Sequence, residues 1–113
     1  MRLYLPWPPK QLSPNSRTYW RAKNPIKAAY RDQCYLITRS KRAQIKGDLF
    51  RVTITFYPPD NRHRDLDNCM ASIKSGLDGV CMALGINDKQ LRPITLDWGQ
   101  VKRGGEIEIV LED

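Results

Sequence analysis

The sequence predicts a small α+β domain in which two helices pack on one mixed sheet of about four strands. Three observations lead to this fold class. Residues 50–57 alternate strictly between apolar and polar side chains, as a half-buried strand does. Two longer segments, residues 25–45 and 67–84, instead repeat apolar side chains at helical spacing. The chain has 113 residues, so we expect residues 1–113 to form a single domain.

The first half of the chain predicts a strand, a basic loop and a helix. Residues 2–5 alternate and then meet prolines, which end a short strand. Residues 10–24 combine Lys, Arg, Asn and Ser with aromatic rings, a mixture that can hold phosphates and stack on bases. Trp20 could equally pack beneath this loop. Pro25 suits the first position of the helix predicted over residues 25–45.

The second half predicts a helix followed by two strands. Gly85 is a natural C-cap for the helix over residues 67–84. Residues 94–102 and 106–111 have the composition of strands. Residues 102–105, with two glycines, would join them as a hairpin.

Composition restricts the class of partner. Nineteen Lys and Arg against twelve Asp and Glu give a net charge of +7, which favours a polyanion such as nucleic acid, although a basic surface can also serve solubility alone. No apolar run approaches the length of a membrane-spanning helix. Cys34, Cys69 and Cys81 are odd in number and lack C-x-x-C spacing, so we expect reduced, mostly packed thiols in a cytoplasmic protein.

The segment Asp65-Leu66-Asp67-Asn68 carries the clearest chemistry. Two carboxylates one residue apart repel each other unless a cation lies between them. Mg²⁺ would do so, because it takes carboxylate oxygens and keeps waters or substrate phosphates as its other ligands. On an ideal helix Lys74 lies within about 20° of Asp67, at the edge of the apolar stripe.

Each of these residues also has a plainer interpretation. Asp65 or Asp67 could be a helix cap or a first-turn acid stabilised by the helix dipole. Lys74 could be a solvated lysine, and Asp88 a member of a turn. A continuous helix would separate Asp67 from Asp88 by roughly 25 Å. Either the loop after Gly85 folds back, or Asp88 serves the site of a second subunit.

Four groups of residues follow one another along almost the whole chain: Leu5-Pro6-Trp7-Pro8-Pro9, the run from Pro59 to Asn68, Lys74 with Leu77-Asp78, and Asn87-Asp88. Together they resemble the RusA family of Holliday-junction resolvases. The resemblance implies a homodimeric, Mg²⁺-dependent endonuclease (Mn²⁺ being a possible substitute) that binds four-way DNA junctions and makes paired symmetric nicks.

The resemblance also implies roles for particular residues. The three catalytic, metal-binding aspartates of the family fall on Asp65, Asp67 and Asp88. The helical lysine of the family follows the second aspartate by four residues, where this chain has Ala71, and its role would pass to Lys74. Phosphates flanking the cut would be held by a set of basic residues. These are Arg62 and Arg64, together with Arg17, Arg21 and Lys23.

Two other functions fit the same residues. A nuclease of the same fold could act on other branched DNA, such as forks or flaps, because recognition of DNA shape leaves no short motif. A non-catalytic nucleic-acid-binding module could use the basic aromatic loop. That module accounts for the net charge but gives no reason for three aspartates on a surface that meets phosphates.

Overall fold

A computed structural model describes all residues from Met1 to Asp113. The elements in chain order are β1 (Arg2–Pro6), α1 (Trp20–Ser40), β2 (Phe50–Tyr57), α2 (Leu66–Ser72), α3 (Lys74–Leu84), β3 (Leu91–Trp98) and β4 (Glu106–Glu112), with single 3₁₀ turns at Lys10–Leu12 and Asp88–Gln90. The α+β class with a four-stranded mixed sheet is confirmed. No helix is both long enough and apolar enough to cross a membrane.

The sheet has the strand order β1-β4-β2-β3. β4 is antiparallel to β1 and to β2, whereas β3 is parallel to β2. β1, β2 and β3 therefore run in the same direction and end at the same edge of the sheet. We call this edge the carboxyl edge and the opposite one the amino edge.

The predicted hairpin between the last two strands is wrong. A turn does form, since the Gly105 N–H donates to the Lys102 carbonyl at 2.7 Å. However, residues 99–105 pass across the end of β2, where the Gly99 N–H donates to the Phe56 carbonyl at 2.8 Å. β4 is thereby inserted between β1 and β2. The physical reason is that a helical crossover returns β3 parallel to β2 on its free side, leaving the centre of the sheet for the apolar β4.

The helices cover one face of the sheet. The core there consists mainly of Leu3, Leu5, Val52, Ile54, Phe56, Ile73, Leu77, Val80, Ile107 and Ile109, together with the predicted packed thiols of Cys34, Cys69 and Cys81. α3 lies very close to α1 because Gly76 and Gly79 face it. A Cβ atom on Gly79 would lie 2.2 Å from the Arg31 carbonyl oxygen. These two glycines fix the position of α3 on the core.

Both predicted helices differ from the structure. α1 begins five residues earlier than predicted and ends earlier, so the basic loop stops at Tyr19. Pro25 lies in the second turn, where its missing N–H removes only one helical hydrogen bond. The second predicted helix is interrupted at Ile73, whose backbone (φ −96°, ψ 2°) leaves the helical region. The Ile73 N–H is shared between the Cys69 and Met70 carbonyls at 3.2 and 3.3 Å.

Candidate functional site

A cleft of about 340 Å³ opens at the carboxyl edge, between the loop that follows β1 and the loop that follows β2. Its lining includes Trp7, Pro8, Pro9, Lys10, Ser13, Asn15, Phe56, Arg62, His63, Arg64, Asp65, Asn68, Cys69 and Ser72. The two loops meet because β1 and β2 end at the same edge. Basic, amide and carboxylate side chains therefore surround a floor that contains two aromatic rings.

Asp65 occupies the cap position of α2, with an extended backbone (φ −100°, ψ 139°), but its side chain caps no backbone N–H. The carboxylate instead lies 3.3 Å from His63 Nε2 and accepts a long hydrogen bond of 3.5 Å from Asn68 Nδ2. Its side chain is 57% exposed. The side-chain capping interpretation of Asp65 is therefore wrong, and much of its acceptor capacity is free.

Asp67 lies in the first turn of α2, exposed and without any hydrogen bond or ion pair. This location agrees with stabilisation by the helix dipole. Asp65 and Asp67 lie on either side of the first residue of the helix, as the sequence predicts. Both carboxylates have few or no hydrogen-bond partners, but only Asp65 lines the cleft, and Asp67 does not.

The two arginines of the loop have different environments. The Arg64 side chain is only 19% exposed, forms an ion pair with Asp60 Oδ1 at 2.9 Å and lies over the Trp7 ring at 5.6 Å. Its hydrogen bond holds the pKa of Asp60 below the ordinary value, with a further contribution from the Arg62 N–H. Arg62 is 80% exposed. Arg64 therefore braces the loop, while Arg62 extends toward solvent at the mouth of the cleft.

Lys74 does not line this cleft. As the first residue of α3, it follows the interruption at Ile73, so the ideal-helix alignment with Asp67 does not apply. Its side chain is exposed and borders a separate depression together with Lys27 and Asp78. A catalytic role for Lys74 stays a prediction that no contact supports.

Asp88 lies at the amino edge, in the turn that leads into β3. The neighbouring Gln90 Nε2 donates to the Asp48 carbonyl at 3.2 Å, just before β2 begins. Asp65, by contrast, follows the end of β2. Because an eight-residue strand spans roughly 25 Å, the two ends lie about that far apart. No group of three or more His, Cys, Asp or Glu side chains comes together to hold a metal ion.

Two buried thiols lie near these separate carboxylates. Burial, with smaller contributions from the charges of Asp88 and Asp78, raises the pKa of Cys81 to about 11. Burial also raises the pKa of Cys69, where Arg64 opposes the shift and Asp65 and Asp67 add to it. The loop after Gly85 does not fold back toward Asp67. Asp88 lies in the turn before β3, which agrees with its plainer interpretation, and its role in the site of a second subunit stays a prediction.

The N-terminal end of α1 carries an exposed aromatic and basic patch. Tyr19 and Trp20 are 61% and 60% exposed, and their ring centroids are 5.8 Å apart. The Arg21 guanidinium lies 5.1 Å from the centre of the Trp20 ring. Arg17 is exposed and Lys23 half-buried. Packing of Trp20 beneath the loop is therefore wrong, and its ring is available for stacking.

Sequence reasoning missed several residues of the cleft. Trp7, Lys10 and Asn15 line it from a segment about fifty residues before Asp65. The sequence does show an aromatic residue among prolines at the end of β1. Its position beside Asp65, however, follows only from the parallel direction of β1 and β2.

A second groove of about 740 Å³ lies beside the C-terminal ends of α1 and α3. It is bordered by Arg39, Arg42 and Lys46.

Comparison with known proteins shows one relative clearly. No protein-family model matches the chain. A protein of Xylella fastidiosa (strain Temecula1), described as uncharacterized, is 35% identical over 115 aligned residues, which cover 96% of this chain and 74% of that protein. The chain belongs to the same family as this protein. The description of that relative names no activity, so the function is argued from the site itself.

Proposed function

We propose that the protein is a metal-dependent endonuclease that resolves four-way DNA junctions by paired symmetric nicks. The observation that carries this proposal is the nearly unpartnered carboxylate of Asp65 in a cleft lined by cations, with the exposed carboxylate of Asp67 two residues further along the chain. A surface that only bound DNA would gain nothing from negative charge at that point. Carboxylates beside phosphates are useful when a cation is held between them.

The residues present fit a hard divalent cation. Asp65 and Asp67 offer only oxygen ligands, and two carboxylates leave room for the waters and substrate phosphates that Mg²⁺ prefers; Mn²⁺ would accept the same ligands. When bound, such an ion lowers the pKa of a water molecule and stabilises the leaving oxygen.

The chain's own cations would position the DNA. Arg62, His63 and Lys10 border the cleft and can bind phosphates on either side of the cut. Arg64 holds the loop in place through Asp60, so that Asp65 keeps its position. The basic aromatic patch at the N-terminal end of α1 adds electrostatic attraction through Arg17, Arg21 and Lys23. Its exposed rings can stack on bases that are unpaired at a branch point.

A homodimer would complete the site. Asp88 is roughly 25 Å from Asp67 along the sheet, so it can join Asp65 and Asp67 only from another subunit. Two-fold symmetry would produce two such composite sites, each made of Asp65 and Asp67 from one subunit and Asp88 from the other. Opposing strands of a junction are related by the same symmetry, which matches paired nicks. Other branched DNA could present similar pairs of strands and is the nearest alternative substrate.

The test compares a labelled four-way junction with a linear duplex of the same sequence, in Mg²⁺ and in EDTA. We expect symmetric nicks in the junction, in Mg²⁺ only. Asp67→Asn should keep junction binding while cutting at least about 100-fold more slowly, a loss of about 2.7 kcal/mol of transition-state stabilisation. Asp78→Asn, which makes the same charge change at an exposed position of α3, is the matched control and should cut normally.

Three results would contradict the proposed site, activity or substrate. Equal cutting by Asp67→Asn and Asp78→Asn would remove Asp67 from the site. Metal-independent binding with no cutting of any branched DNA would indicate the non-catalytic module, for which the exposed Tyr19 and Trp20 rings are the supporting observation. Faster cutting of forks or flaps than of four-way junctions would assign the protein to other branched DNA.

A further inference from the structure

The positive charge of the chain is concentrated in its first 47 residues. These residues contain eleven Lys and Arg but only one acid, Asp32, whereas the rest of the chain contains eight Lys and Arg and eleven Asp and Glu. The segment that forms β1, α1 and the loops around them is therefore strongly basic, and the remainder is acidic. The cleft and the patch at the N-terminal end of α1 use four of the eleven cations. The other seven have no role in the site described above.

The groove of about 740 Å³ beside the C-terminal ends of α1 and α3 collects three of these cations. Arg39, Arg42 and Lys46 border it, and we call it the basic groove. All three residues are exposed, and none of their side chains forms an ion pair. Arg39, in the last turn of α1, also interacts favourably with the helix dipole, but Arg42 and Lys46 lie beyond the helix. Three unpaired cations around one groove repel each other and favour an anionic occupant.

Arg42 is an unusual residue for its position. Its φ of 52° lies in the left-handed region just after α1, where helices commonly have glycine because a side chain is unfavourable there. No other residue apart from glycine has a positive φ in this chain. A glycine would make the same turn with less strain but without the charge. The arginine therefore contributes something other than the turn, and its side chain borders the basic groove.

The basic groove and the aromatic patch lie along the same face of α1. Arg21 and Arg39 are five full helical turns apart, so both project from the outer face, about 27 Å from each other. Asp32, the only acid on this helix, lies within about 20° of the line that joins them. It forms an ion pair with Arg31 at 3.2 Å, so its charge is largely compensated. The outer face of α1 thus has free cations at both ends and no free acid between them.

The opposite side of the molecule carries the opposite charge. The helices cover one face of the sheet, and on the uncovered face carboxylates outnumber cations in the paired positions. The carboxylates are Asp97, Glu106, Glu108 and Glu112, and the cations are Arg2 and Arg51. A polyanion is therefore attracted to the side of α1 and repelled from the uncovered face of the sheet.

We propose that the outer face of α1, from the aromatic patch to the basic groove, binds one duplex arm of the branched DNA. This inference rests on the proposed function, because the arm begins at the branch point beside the cleft. The distance of about 27 Å between Arg21 and Arg39 corresponds to about eight base pairs of B-DNA. A shorter arm would reach the patch but not the basic groove. Phosphate contacts at both ends of α1 would fix the direction of the arm without reading its sequence.

Arm length and groove charge should therefore be coupled. Binding is measured in EDTA, so that it does not depend on cutting, with four-way junctions whose hairpin-closed arms have about 6 or about 14 base pairs. Arg39→Gln combined with Arg42→Gly should bind the long-armed junction about 10-fold more weakly, with a salt dependence whose slope is smaller by about two. It should bind the short-armed junction as the wild type does. Because Arg42→Gly relieves the left-handed backbone, we expect the variant to stay folded in thermal denaturation.

The matched control removes the same charge from the uncovered face of the sheet. Arg2→Gln combined with Arg51→Gln should bind both junctions within about twofold of the wild type, because salt screens distant charges. The opposite change on the arm side gives the opposite result. Asp32→Asn removes the acid and frees Arg31, so it should bind the long-armed junction about 3-fold more tightly. Asp97→Asn, on the uncovered face, should not.

Each outcome decides between the two proposals. Equal weakening of both junctions by the groove variant, or equal weakening by the groove and control variants, would overturn the arm-binding role of α1 and leave the nuclease function intact. If the coupling to arm length is present but no branched DNA is cut in Mg²⁺, the nuclease function alone is overturned. If the wild type binds neither junction, both proposals are wrong.

Discussion

The carboxyl and amino edges of the sheet are built very differently. At the carboxyl edge, loops from β1 and β2 enclose a cleft, and Arg64 is held between Asp60 and the Trp7 ring. At the amino edge, Asp88 is positioned by one turn, in which Asn87 Oδ1 accepts from the Lys89 N–H at 2.9 Å. One edge has a cleft, and the other holds a single well-positioned carboxylate. Under the proposed function, neither edge alone supplies all three aspartates of the metal site.

The separation of the two edges is fixed by the core. β2 and β3 are parallel neighbours, and the helices between them are packed on the sheet and on α1. Closing the distance within one chain would require breaking that packing. The separation of the two edges is therefore the reason why the proposed function needs a second copy of the chain.

Mixing two inactive variants gives the largest expected effect. Asp67→Asn and Asp88→Asn should each lose at least about 100-fold in cutting rate. In a heterodimer of the two, one composite site carries both changes and the other is intact, so mixing should restore nicking of one strand. Cutting measured after exchange of subunits checks this.

The control for that experiment is a mixture of Asp65→Asn and Asp67→Asn. Both sites of this heterodimer carry a change at the carboxyl edge, so no activity should return. If the mixture of Asp67→Asn and Asp88→Asn also stays inactive while heterodimers are present, Asp88 does not complete the partner's site.

The contact between α1 and α3 holds the two edges apart. Within that part of the fold, we expect it to be the place where a substitution lowers stability most. Gly79→Ala places a methyl group against the Arg31 carbonyl, where the Cβ would lie at 2.2 Å. We expect a loss of about 2 kcal/mol in the free energy of unfolding, because overpacking against backbone exceeds the gain of about 1 kcal/mol in helix propensity. Urea denaturation measures the change.

Ser75→Ala in the same helix is the matched control. Its hydroxyl oxygen is buried and has no hydrogen-bond partner, so its removal should leave stability unchanged or slightly raised. Equal midpoints for Gly79→Ala and Ser75→Ala would mean that α3 can move away from α1, and the fixed separation of the edges would lose its support.

Local patterns predicted the local parts of the fold well. Residues 50–57 are a strand as predicted, because strict alternation over eight residues suits no other element. Gly85 adopts the left-handed conformation of a helix C-cap (φ 69°), as expected. The turn at residues 102–105 also forms, but the strands that it connects lie on opposite sides of β2. Strand order depends on long-range burial, which no turn sequence encodes.

The same limit applies to the candidate site. Asp65 and Asp67 are neighbours in sequence, so their proximity follows from chain geometry alone. Trp7 reaches the cleft only through the strand order of the sheet. Lys74 does not reach the cleft, because the helix is interrupted at Ile73. No proline or glycine at that position indicates the interruption in the sequence. Contacts that depend on the strand order therefore cannot be predicted from single segments of the sequence.

The smallest expected effect compares the buried thiols near the two edges. Burial and neighbouring carboxylates raise the pKa of Cys81 to about 11, whereas Arg64 opposes the rise at Cys69. A raised pKa means that the folded protein keeps a proton that the unfolded chain loses, so stability is full below the ordinary thiol pKa and falls as pH rises toward 11. Between pH 9 and 10, Cys81 should account for about 1 kcal/mol of that fall.

Urea denaturation of Cys81→Ala and Cys69→Ala at pH 7, 9 and 10 measures this difference. Each substitution lowers stability at every pH by removing packed atoms, so the informative quantity is the slope with pH. Cys81→Ala should flatten the alkaline decline more than Cys69→Ala does. Equal slopes would show that burial and neighbouring charges do not raise the pKa of Cys81 more than that of Cys69, and this contrast between the two edges would be lost.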